Sequence, residues 1–137
     1  MADCVQNISR EYEQMPIISQ INSSIGVIFS TFQGVVTKED ILAELHSFTV
    51  DPAFQPSFDH LVDIRGTTRL DLSSDDVRTI SWHSTFNEKS HRAIVAEKRE
   101  IYGLARMYQI LRETQEKPDE VQVFRTMEEA RRWLGLD

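Results

Sequence analysis

Cysteine occurs once, as Cys4, so no disulfide can close within the chain, and a reducing compartment is the simplest setting for it. Glycine and proline are scarce, five and four residues, which excludes collagen-like and low-complexity architectures. No stretch approaches the ~18 consecutive apolar residues that a membrane span needs. Residues 1–16 carry Asp3, Glu11 and Glu13 in place of the apolar run of a secretory signal. Basic residues are outnumbered 15 to 22, and the formal charge of −7 argues against general nucleic-acid binding, which requires a basic footprint. These absences leave a soluble, cytoplasmic protein with no integral membrane segment as the expectation. What is present suits that setting: 137 residues, 40% hydrophobic and 27% charged, enough for one domain with a real core.

Along the chain, residues 1–15 read as a polar tail and 16–137 as the domain. Ile17 to Ile21 and Ile25 to Phe32 are rich in Val, Ile and Phe, and a turn at Asn22-Ser23-Ser24 makes them a hairpin, with Gly34 ending the second strand. Thr37 then opens a helix, with Glu39 and Asp40 in the turn where the helix dipole favours acid, and Ile41, Leu45 and Phe48 on its buried side. Pro52, Phe54, Pro56 and Phe58 mark a loop pinned by aromatics. His60 to Arg65 forms a third strand stopping at Gly66, and Ser73 or Ser74 caps a second helix running to about Phe86. His91 to Ala96 is the fourth strand, and a third helix spans about Arg99 to Gln115, ended before Pro118. The chain closes on strand Val121 to Phe124 and a helix in which Thr126 and Glu129 stand three apart, as in a capping box, ahead of the stripe Met127, Ala130, Trp133 and Leu134.

The order is ββαβαβαβα, an α/β domain whose helix-separated strands are parallel and joined by right-handed crossovers. Strands covered on both faces read as continuously apolar. Here Val62 and Ile64 oppose Leu61, Asp63 and Arg65, and Val121 and Val123 oppose Gln122 and Phe124. The five-stranded, mostly parallel sheet therefore carries its helices mainly on one face.

Several words in this order resemble the SpoIIAA-like branch of the STAS superfamily. They are His60-Leu61-Val62-Asp63-Ile64-Arg65-Gly66, Ser73-Ser74-Asp75-Asp76-Val77, Arg92-Ala93-Ile94-Val95-Ala96, Tyr102-Gly103-Leu104-Ala105-Arg106-Met107, and Val123 through Leu134. The resemblance spans roughly residues 17–136. It implies a (βα) superhelix with helices stacked on one side and a binding or regulatory module in place of an enzyme. Anti-sigma-factor antagonists of the superfamily switch partners through a phosphorylated serine in an Asp-Ser-Ser-Gly word just after the third strand. This chain has Asp63-Ile64-Arg65-Gly66 there, and Ser73 and Ser74 come later, followed by Asp75. For some relatives the resemblance implies an apolar or lipid-like ligand between the second and third helices.

The residues themselves point to the same two helices. At 100° per residue Val77, Ile80, Ser81 and Ser84 share one side of the second helix, and Trp82 and Phe86 fall on nearly the opposite side. On the third helix Ile101, Leu104, Ala105, Tyr108 and Leu111 form the core stripe, with Met107 and Ile110 off it and Tyr102 on the far flank. An apolar outer surface is either covered by neighbouring elements or serves as a ligand groove or self-association face. The expectation is a non-catalytic module holding an apolar or lipid-like small molecule at Trp82, Phe86, Tyr102, Leu104, Met107 and Ile110. The alternative is a protein-interaction module, a homodimer or a partner binder, using that surface.

Asp63 and Arg65 are a polar candidate at the carboxyl end of a parallel strand, where open α/β sheets place ligands, although two residues on one strand face also simply pair. His46, His60, His83 and His91 have no metal-ligand spacing, and the strand-starting His60 and His91 are expected in solvent. Arg125, Arg131 and Arg132 read as a solvated helix face. No Gly-x-Ser-x-Gly word or glycine-rich phosphate loop occurs, so neither a catalytic signature nor a cofactor is expected.

Overall fold

A computed structural model describes residues 15–136. All but one residue of the expected N-terminal tail, and Asp137, lie outside that range. The elements are β1 (Ile17–Asn22), β2 (Val27–Thr37), α1 (Lys38–Val50), β3 (Asp59–Asp71), α2 (Ser74–Trp82), β4 (His91–Val95), α3 (Arg99–Glu113), β5 (Glu120–Phe124) and α4 (Met127–Trp133). They form one five-stranded sheet in sequential order, β1 antiparallel to β2 and every later neighbour parallel.

Sequential order means that each crossover steps the same way across the sheet. A constant right-handed turn then puts α1, α2 and α3 on one face. Their apolar stripes (Ile41, Leu45 and Phe48; Ile80; Ile101 and Ala105) meet Ile28, Val62, Ile64, Ile94, Val121 and Val123 of the strands. Among the described residues, α4 covers the other face of these strands. There Ala130 packs on Leu61, Ala93 and Val95, flanked by Met127, Trp133 and Leu134.

Helix starts follow local chemistry. The Thr37 and Ser73 hydroxyls accept from the N–H groups of Asp40 and Asp76, and those carboxylates accept the cap N–H groups in return. At α4 only half of the expected box forms: Thr126 accepts from Glu129 N at 3.2 Å, whereas the Glu129 carboxylate takes the Thr126 hydroxyl.

Two strand ends differ from expectation, for one reason. Gly34 and Gly66 do not stop β2 and β3; both strands run on, paired in parallel from Gln33 with Gly66 to Thr37 with Asp71. The register shifts beside Gly34, whose φ of +67° suits glycine, and a Cβ on Gly66 would stand 3.1 Å from the Phe32 carbonyl oxygen. The glycines allow an irregular ladder to continue where each, taken singly, resembles a terminator.

The second helix is shorter than expected, and this moves a side chain. It ends at Trp82, so Phe86 is not on a helix at all. Phe86 turns inward, 6% exposed, stacked on His60 at 5.2 Å between ring centres and edge-on to Phe48 and Phe54. Trp82 stays outside, 64% exposed. Phe86→Ala should therefore cost about 3–5 kcal/mol of unfolding free energy, and Trp82→Ala within about 0.5 kcal/mol of nothing. Urea unfolding of the two variants checks this; equal costs would contradict the inward placement.

Candidate functional site

Strand alternation carries four polar side chains onto the helix-covered face: Ser19 of β1, Ser30 of β2, His60 of β3 and Arg92 of β4. Their neighbours on that face are apolar, and His60, Ser30 and Arg92 are all buried. They form one continuous chain. The Ser19 hydroxyl donates to the Glu44 carboxyl of α1 at 2.5 Å and lies 2.9 Å from the Ser30 hydroxyl, and Ser30 Oγ is 2.7 Å from His60 Nε2. On the other side of the imidazole, Arg92 Nε donates to His60 Nδ1 at 3.4 Å. Arg92 Nη1 donates to the Tyr108 hydroxyl at 2.6 Å and to Asp119 at 3.0 Å. Asp119 also accepts from Arg112 Nε at 2.8 Å, and Arg112 Nη1 donates to the Ser81 carbonyl at 2.6 Å.

These partners set the proton positions. A guanidinium only donates, so Nδ1 of His60 is the acceptor and Nε2 carries the hydrogen. Nε2–H then donates to Ser30, Ser30 to Ser19, and Ser19 to Glu44. Ser30 and His60 are consequently not a nucleophile–base pair: such a base needs a free Nε2 lone pair and a carboxylate at Nδ1, the reverse of what stands here.

Burial lowers the pKa of His60 well below 6.5, and the Arg92 charge lowers it further, so the ring is neutral. Burial raises Glu44 above its ordinary 4.5, against the pull of Ser19, Ser30 and Arg92. For Arg92, burial opposes the charge, but Tyr108 and Asp119 outweigh it and the pKa rises. Two buried guanidiniums thus share one buried carboxylate.

The chain closes one end of a cavity of about 80 Å³ between the sheet and α1, α2 and α3. Glu44, His60, Arg92 and Tyr108 border that end, toward the amino ends of the parallel strands. Beyond them the lining is apolar: Ile41, Leu45, Ile64, Val77, Ile80 and Ala105 among others. Leu70, Leu72 and Leu104 are half-exposed and form the outer end, past the carboxyl ends of the strands, where open α/β sheets bind ligands.

Of the residues expected at a ligand site, only Leu104 borders this cavity. Phe86 is interior. Trp82 and Ile110 are exposed, Ile110 by 52%, and Met107 is half-buried. Tyr102 is half-buried beneath Arg125, whose guanidinium sits 4.0 Å above its ring. Asp63 and Arg65 close on each other through two hydrogen bonds of 2.9 Å on the opposite face. Burial alone would raise Asp63, but Arg65 outweighs it and leaves the carboxyl below its usual value.

The strand-starting histidines part company: His91 is exposed beside Trp133, whereas His60 is in the core, contrary to expectation, because Phe48, Phe86, Ser30 and Arg92 enclose it. Sequence reasoning missed Glu44, Arg92, Arg112 and Asp119. The signal lay in Glu44 and Arg112 falling on the apolar stripes of their helices. Among the described residues no three His, Cys, Asp or Glu side chains group as a metal site, and no helix is long and apolar enough to cross a membrane.

The two buried titrating groups act on stability in opposite directions. Folded His60 refuses a proton that the unfolded chain takes below about 6.5, so its contribution is lost as pH falls through that value. Folded Glu44 retains a proton that the unfolded chain releases above about 4.5, so its contribution is lost as pH rises. In urea unfolding across pH, the wild-type advantage over His60→Gln should shrink below pH 6.5, by up to about 1.4 kcal/mol per unit. The advantage over Glu44→Gln should shrink in the opposite direction, above 4.5. Two parallel, flat differences would refute both assignments.

No family model matches the chain, and no curated protein matches it in sequence. In structure it is similar to an uncharacterised protein of the DUF3478 family, with a SpoIIAA-like fold, from Shewanella loihica PV-4. The TM-score is 0.57 at 20% identity, over 86% of this chain and 93% of that one. At that identity the likeness speaks of fold alone. This five-stranded, mostly parallel sheet, with three crossover helices on one face, is a SpoIIAA-like fold, as the sequence resemblance implied.

Proposed function

We propose that this protein is a non-catalytic binding module for a small apolar molecule, or for the apolar part of a lipid-like one. The ligand would lie on the inner side of the second and third helices, beneath α1, α2 and α3. One observation carries the reading: an apolar cavity that reaches the surface, inside a core where interiors are otherwise close-packed. At about 80 Å³ it is smaller than the ~150 Å³ cavity that takes up benzene. A few carbon atoms fit, and a longer chain would extend past Leu70, Leu72 and Leu104. Each Å² of apolar surface so removed from water contributes roughly 25 cal/mol.

Methyl-resolved NMR titration with 1-hexanol tests this. Saturable shifts should concentrate at Val77, Leu70, Leu72 and Leu104, and Leu104→Trp, which fills the outer end, should abolish them. Absence of saturable shifts up to the solubility limit would sink the reading.

A second reading, association with a protein partner or a second copy of the chain, is favoured by Trp82 and Ile110, large apolar side chains left in solvent on adjacent helices. Sedimentation that depends on concentration in the wild type, and not in a Trp82→Glu, Ile110→Glu variant, would support it. Identical monomeric behaviour of both would remove it.

A further inference from the structure

The polar end of the cavity has a chemistry that narrows its ligand. Arg92 Nη1 already donates to the Tyr108 oxygen, so the hydrogen of the Tyr108 hydroxyl remains to be given. The hydrogen bonds of Arg92 to described residues use Nε and Nη1 and leave Nη2 available. Both residues border the cavity. Glu44 borders it too, its Oε2 accepting from Ser19; in its protonated form the carboxyl adds a third donor. The surrounding charges have the complementary imbalance. Arg92 and Arg112 bring two positive charges to the single negative charge of Asp119.

We propose that the cavity takes a monocarboxylate, its anion accepting from the Tyr108 hydroxyl and Arg92 Nη2, with its apolar body running toward Leu104. This rests on the cavity being the binding site and adds what it selects. A carboxylate fits because it only accepts, with two oxygens for the two or three donors, and because it supplies the one negative charge the buried cluster lacks. An alcohol brings no charge, and an amine would meet donors with a donor.

Glu44 makes the binding pH-linked. When ionised, it balances the cluster itself and repels the ligand; when protonated, it donates. The groups around it are Ser19 from β1, Ser30 from β2, neutral His60 from β3, Arg92 from β4 and Tyr108 from α3, while α2 contributes only Val77 and Ile80 to the cavity. Arg92 is the one charged group among them. Binding of a carboxylate is therefore tighter at lower pH and draws in a proton, whereas binding of a neutral analogue is drawn less to that change.

The test compares hexanoate with 1-hexanol on the folded protein by calorimetry and methyl NMR between pH 5.5 and 8. Hexanoate should bind at least about tenfold tighter than hexanol, the ratio expected for a hydrogen bond to a charged group. Tyr108→Phe should lose about that factor for hexanoate and leave hexanol unchanged. Glu44→Gln, which keeps the shape and a donor, should bind hexanoate with no pH dependence of its affinity. Hexanol binding as well as hexanoate, or Tyr108→Phe reducing both alike, would overturn the anion assignment while leaving the cavity reading in place. If neither ligand binds, the cavity reading falls first and this one with it.

Discussion

The Asp119 carboxylate has no exposed surface, and it is held by two arginines that are themselves almost wholly buried. A buried charge is tolerated only when paired and hydrogen-bonded, and removing one partner of such a set leaves the others uncompensated. Here the set also sets geometry. Arg92 comes from a central strand, Arg112 from the last turn of α3, and Asp119 from the residue before β5. Arg112 then reaches on to the Ser81 carbonyl in the last turn of α2. Two helices and two strands are thereby fixed to one another by donors whose directions are as demanding as their charges.

That fixing explains a helix end that periodicity alone places wrongly. The apolar pattern from Ser74 continues to Phe86, yet at the helix end the His83 ring lies 2.8 Å from the Thr79 carbonyl and the His83 N–H caps onto Ile80. The Ser81 carbonyl is satisfied by a guanidinium, and the chain leaves the helix just beyond it, at His83. Phe86 then meets His60 and the face of the Arg92 guanidinium, 4.4 Å from its ring centre. The aromatic expected on the outside is thus part of the core, beside a helix end that Arg112 ties to α3.

Much of the architecture was legible because it depends on near neighbours. Strand alternation at Val62 and Ile64, the Thr37 and Ser73 caps, and the helix break before Pro118 are written within a few residues of where they act. The glycines at 34 and 66 were misleading because strand length is set by a partner: each strand continues because the other does. The site was less legible for a similar reason. Glu44 on an apolar stripe, or Arg92 at the head of an apolar strand, signals burial of a charge but not what compensates it. Ser19 is 25 residues from Glu44 and Asp119 is 27 from Arg92. Only the sheet order brings them together, and the outward candidates Trp82 and Ile110 drew attention because an exposed apolar residue can be seen without knowing any partner.

The cavity itself follows from unequal element lengths. At 1.5 Å per residue the nine residues of α2 span about 13 Å, and the fifteen of α3 about 22 Å. β3 is thirteen residues, about 43 Å when extended. The central crossover helix is thus the shortest of the three on this face. At the amino end of the sheet the shortfall is met by Phe86, which stacks on His60, and by Phe54 of the 51–58 loop, which packs edge-on against Phe86. Toward the carboxyl end Leu70, in the overhanging tail of β3, and Leu72 just beyond it border the gap beside Leu104. Lengthening α2 by a turn would both fill the space and pull Phe86 out of the core. The short helix, the inward aromatic and the open apolar end therefore go together, and Arg112 ties the end of α2 to α3 at that point.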